Sequence, residues 1–85
     1  GIQFAIQVPE APGQIEALTG IIGRCGGRLV SLLSCSEGAP AGFRNVYIRA
    51  YHVDRSRLDR LREELQGQGA LLYIVDHREN RREVY

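Results

Sequence analysis

The sequence predicts a two-layer α+β sandwich with the element order β-α-β-β-α-β. Two observations carry this reading. Residues 2–8 and 44–51 alternate apolar and polar side chains with a period of two, whereas residues 15–25 and 58–65 carry apolar side chains at helical spacing. Pro9, Pro12 and Pro40 all fall between these segments, where no strand interior has to accommodate them.

The first strand sets Ile2, Phe4, Ile6 and Val8 on one face and Gln3, Ala5 and Gln7 on the other, so one face is buried. Pro9-Glu10-Ala11-Pro12-Gly13 is a turn. The first helix presents Ile15, Leu18, Ile22 and Cys25 as one stripe, with Ile21 beside it. Gly20 and Gly23 within it cost about 1 kcal/mol each relative to Ala, so a close approach to another backbone or a partner helix is expected there. Gly26-Gly27 ends the helix by supplying positive φ. Arg28–Ser36 reads as a second strand with apolar residues on both faces: Leu29, Leu33 and Cys35 compete with Val30 and Leu32 for the core side. Residues 37–42 form a loop. The third strand, 44–51, turns Val46, Ile48 and Ala50 inward and Asn45, Tyr47, Arg49 and Tyr51 outward. Asp54 caps a second helix striped by Leu58, Leu61 and Leu65, which Gly67 and Gly69 stop. Ala70–Asp76 is the fourth strand. Residues 77–85 are charged and aperiodic and read as a frayed or partner-bound tail, leaving 1–76 as the domain.

Right-handed crossovers turn this order into an antiparallel sheet arranged 4-1-3-2 with both helices on one face, the ferredoxin-like arrangement. The second strand then lies on an edge. Its two-sided apolar character asks for a cover, most simply the same strand of a second copy.

Composition excludes several functions. The chain has 85 residues and a net charge of +1, enough for one domain that buries roughly 60–65% of its unfolded surface. All 11 cationic side chains are Arg, so there is neither a Schiff-base lysine nor a phosphate-loop lysine. Cys25 and Cys35 lack metal-ligand spacing and read as small buried apolar groups in a reducing cytoplasm. No cofactor or metal is expected, and no apolar run reaches the ~20 residues of a membrane span. A chain opening on Gly1 is read as a piece of a longer parent.

The candidate site is the turn after the first strand. Gly13 lets the backbone approach a ligand, and the opening helical turn offers unpaired N–H groups and a positive dipole end to an anion such as a carboxylate. Glu10 suits an ammonium group, Gln14 adds a donor and an acceptor, and Arg28 offers a second anion clamp. The plain alternative is that Pro12-Gly13 only shapes the connection while Glu10 and Arg28 are solvated or paired together.

Val8-Pro9-Glu10-Ala11-Pro12-Gly13-Gln14-Ile15 resembles the acidic-x-Pro-Gly-x-aliphatic turn of ACT domains, small regulatory modules with the same element order. Gly26-Gly27-Arg28-Leu29-Val30-Ser31 resembles the start of that family's second strand. The resemblance spans roughly residues 2 to 76 and is nearest to ACT modules that follow CBS-domain pairs in bacterial proteins. It implies an allosteric, non-enzymatic domain that binds an amino acid or related metabolite near a subunit interface. The binding residues it implies are Glu10, Ala11, Pro12, Gly13, Gln14, Arg28, Leu29, Val30 and Ser31. It also implies a homodimer through the second strand and first helix. A dimerisation module of the same type without a ligand is the alternative.

Two other readings are weaker. Gly42-Phe43 with Tyr47 and Tyr51 echoes single-stranded RNA readers, but the first strand offers Gln3, Ala5 and Gln7 and the charge is balanced, so no nucleic-acid partner is expected. Ser31, Ser34 and Ser36 have no base beside them in sequence, and His52 and His77 stand far from any nucleophile, so no enzyme is expected. The open sheet face holds Tyr47, Arg49 and Tyr51. If Leu72 and Ile74 face the helices, Leu71, Tyr73 and Val75 join them in a surface for other domains of the parent chain; if not, a modest Tyr cluster remains in solvent.

Overall fold

The structure, a computed structural model, describes residues 1–85. Its elements are β1 (Ile2–Pro9), α1 (Gln14–Arg24), β2 (Arg28–Cys35), β3 (Phe43–Tyr51), a 3-10 turn (Arg55–Arg57), α2 (Leu58–Gln66), β4 (Ala70–Asp76) and β5 (Arg81–Val84). All five strands form one antiparallel sheet in the order β2-β3-β1-β4-β5.

The strand order thus differs from the expected 4-1-3-2 by one added member. The first four strands keep the expected neighbours, and residues expected as a frayed tail supply β5 on the outer side of β4. The physical reason lies in α2. Arg62 bonds to Asp59 (2.9 Å), to Glu83 (3.0 Å) and to the Tyr85 hydroxyl (2.7 Å), pinning the last strand to the helix layer. The Tyr85 hydroxyl donates to Glu83, and this bond together with the Arg62 charge holds the Glu83 carboxyl below its usual range against a smaller effect of burial.

The two clean alternations form the centre. Ile2, Phe4, Ile6 and Val8 of β1, with Val46, Ile48 and Ala50 of β3, are all at most 1% exposed. They pack in one cluster with Leu18, Ile21, Ile22 and Cys25 of the first helical stripe and with Leu61 and Leu65 of α2. Because both helices join the same cluster, both lie on the inward face of the sheet. The expected glycine stop after α1 is present: Gly26 has φ 77°, Gly27 N–H bonds to the Ile22 carbonyl at 2.9 Å, and Gly26 N–H bonds to Gly23 at 3.0 Å.

Two bulges decide facings that alternation left open. In β2, Leu29 pairs with Ala50 and Ser31 with Arg49, so Val30 is the extra residue. Leu32 then packs on the core, whereas Leu29, Val30 and Leu33 are 42%, 49% and 61% exposed. In β4, Ala5 pairs with Tyr73 but Ile6 with Leu71, so Leu72 is extra. Leu71 is consequently buried in the core with Ile74, and only Tyr73 and Val75 of the expected trio face outward.

Three expectations need correction. Cys25 is buried but Cys35 is only partly so, at the end of an edge strand. Gly20 and Gly23 meet no other backbone: a Cβ at Gly20 would reach only the Arg24 guanidinium at 3.4 Å, and one at Gly23 would reach nothing within 4 Å. Asp54 does cap, but it accepts the Ser56 N–H (3.0 Å) at the 3-10 turn rather than opening α2 itself. No helix is long and apolar enough to cross a membrane.

Candidate functional site

A cleft of about 300 Å³ opens where β1 turns into α1. Pro9, Glu10, Ala11 and Pro12 form one wall, Val8 and Val46 the floor, Gln14 and Ile15 the side under the helix, and Ser34 and Arg44 the far wall. Gly13, φ 85°, is the N-cap of α1, and no side chain caps the first-turn N–H groups. The Glu10 N–H bonds to the Gly42 carbonyl at 2.8 Å, which ties the turn to the loop before β3.

The charged pair of this cleft is Glu10 with Arg44. Arg44 Nη1 reaches Glu10 Oε1 at 3.1 Å, its Nε donates to the Ser34 hydroxyl at 2.8 Å, and its Nη2 donates to the Ser34 carbonyl at 3.2 Å. Three contacts fix the guanidinium plane, yet about a third of the side chain remains exposed. Gln14 Oε1 is buried with no hydrogen-bond partner, an acceptor that costs free energy unless something donates to it.

The expected residues fall into two groups. Glu10, Ala11, Pro12, Gly13 and Gln14 are together around the cleft. Arg28, Leu29, Val30 and Ser31 are not with them in the same chain. Arg28 pairs with Tyr51, whereas the cleft lies beside Arg44. Seven residues of extended chain separate Tyr51 from Arg44, about 23 Å at the usual rise. Arg28 and Glu10 therefore do not pair. Antiparallel register is the reason: the end of β1 meets the beginning of β3 and the end of β2. Ser34 and Arg44 were the missed residues. Arg44 carries a legible signal, being the one charge in the inward-facing phase shared by Val46, Ile48 and Ala50.

A polar cluster marks the opposite end of the sheet. Arg55 clamps Asp76 through two bonds of 3.0 and 2.7 Å, and Asp76 also accepts the N–H groups of Arg78 and Glu79. Burial alone would raise the Asp76 carboxyl, but these bonds and the Arg55 charge bring it below its usual range. Asp76 is saturated by bonds within the fold, so this cluster reads as a structural brace, whereas the cleft keeps an orphaned acceptor, Gln14 Oε1.

No protein-family model matches the chain, and no curated protein matches it either.

Proposed function

We propose that the chain is a regulatory module of the ACT type, a ferredoxin-like framework extended by a fifth strand, and that the cleft takes an amino acid or a closely related zwitterion. The observation that supports this best is a pair of opposite charges at the mouth of an apolar-floored cleft beside an uncapped helix N-terminus. A ligand carboxylate would meet Arg44 and the first-turn N–H groups, and its ammonium would meet Glu10 and the orphaned Gln14 acceptor. Such a site binds rather than transforms. Binding would shift the parent protein, a bacterial CBS-linked chain in our reading, by differential affinity for its states.

A second copy would complete the site. β2 is an unpaired edge with Leu29, Val30 and Leu33 exposed, and Gly20 and Gly23 leave α1 smooth next to it. Two β2 strands pairing antiparallel about their centre would set Arg28–Ser31 of one copy against Leu32–Cys35 of the other. That would set Leu29 of one copy beside Ser34 of the other on the inward face, while Arg28 stays on the outward face, away from the cleft. The rival reading, a dimerisation module without a ligand, is favoured by the Arg44–Glu10 pair itself, which already satisfies both charges.

A thermal-shift screen of amino acids separates the two. A ligand present at a hundred times its dissociation constant adds about 2.7 kcal/mol, which moves the midpoint of so small a domain by about 10 °C or more. Arg44→Ala should abolish the shift while leaving the dimer mass in sedimentation equilibrium unchanged. Leu29→Asp should weaken it at least tenfold only if the site is shared between copies. A folded dimer that responds to no amino acid would leave the rival reading.

A further inference from the structure

We propose that the outward face of the sheet is a docking surface for an acidic protein segment carrying apolar side chains. The inference is independent of the cleft, which lies on the other side of the sheet. Cross-strand register places Arg28, Arg49 and Arg82 on outward positions of β2, β3 and β5, and all three are exposed. None of the ten carboxylates shares that face. Glu16, Asp59, Glu63 and Glu64 are on the helices, Asp76 and Glu83 are on inward-phase strand positions, and the remainder are in connecting segments. A nearly neutral chain thus presents one face whose charges are all positive, a field that selects acidic partners and speeds their encounter.

The same face is apolar between its arginines. Ala5, on the central strand, is fully buried although it points away from the core, and its cross-strand neighbours are Tyr47 and Tyr73. Leu33 and Val84, 61% and 72% exposed, extend this patch toward both edges. Half-buried tyrosines flanked by aliphatic residues and arginine are the composition of protein interface centres.

Charge decides among occupants. A second copy docking face to face would set arginine against arginine. A nucleic acid would find three cations, few beside the six to ten phosphate contacts of a typical binder, and no ring on the central strand where bases would stack. An acidic, partly apolar polypeptide satisfies both the arginines and the exposed aliphatic groups.

Selection of the 85-residue chain against an unbiased random-peptide library tests this. The expected binders are enriched in Asp or Glu together with aliphatic or aromatic residues, weaken as salt rises, and shift the amide resonances of Tyr47 and Tyr73. The triple variant Arg28→Gln, Arg49→Gln, Arg82→Gln should keep its circular dichroism and lose at least about tenfold in affinity. Binders without acidic enrichment, binders indifferent to the triple variant, no binders at all, or tighter binding of a single-stranded oligonucleotide would each overturn the proposal.

Discussion

Asp76→Ala should lower the free energy of unfolding by about 3–5 kcal/mol, measured as a urea midpoint at neutral pH. The carboxylate is nearly inaccessible, with 4% of its side chain exposed, and it receives two bonds from Arg55 and two from the hairpin backbone. Removal leaves a guanidinium, 23% exposed, facing a void, and leaves the N–H groups that start the turn into β5 unpaired. For a domain whose total stability is about 5–15 kcal/mol, that is a large share. The pH dependence has a definite sign. The folded chain holds this carboxyl below its ordinary 3.8, so its contribution is complete above that value and is lost as the pH falls through the lower folded one. The gap between the parent chain and Asp76→Ala should therefore narrow as the solution is acidified below 3.8. A gap of the same size in acid would show that packing, not the ionised bridge, carries the effect.

Phe4→Ala should cost a comparable amount, about 3–5 kcal/mol. Phe4 is fully buried on the central strand, paired with Ile48 on one side and Ile74 on the other, beneath both helices. Backbone hydrogen bonds on both flanks of β1 hinder the collapse that would refill the space. Leu33→Ala, on the edge strand and 61% exposed, should stay within about 0.5 kcal/mol. Chemical denaturation of the three chains in parallel checks the ranking, and a costly Leu33→Ala would mean that the outward face around Leu33, paired with Tyr47, is covered by another chain under the conditions used.

What could be read beforehand follows from where each signal originates. The facings of β1 and β3 were legible because each strand is central with one face wet, so alternation and burial coincide. The helical stripes were legible for the same reason. Leu71 was not, because a bulge at Leu72 shifts the phase, and nothing in Ala70-Leu71-Leu72-Tyr73 marks which residue is extra. β5 was not legible because Arg81–Val84 carries no alternation of its own, and its anchor, Arg62, binds Glu83 and Tyr85 from 21 and 23 residues away on another element. Half of the site was legible as local turn chemistry from Glu10 to Gln14. The other half is register: Arg28 had the right chemistry at the wrong end of its strand, and Arg44 reaches Glu10 only through the antiparallel pairing of Val8 with Arg44.

The fifth strand has a consequence for growth. It moves the second edge of the sheet outward from β4 to β5, and the two edges are then unequal: β2 has eight residues with Leu29, Val30 and Leu33 exposed, whereas β5 has four, among them Arg81, Arg82 and Glu83. A short, charged edge is a poor template for another strand. Residues 81–84 therefore blunt one end of the sheet and leave β2 as the more receptive one, an asymmetry that disfavours open-ended, strand-on-strand growth.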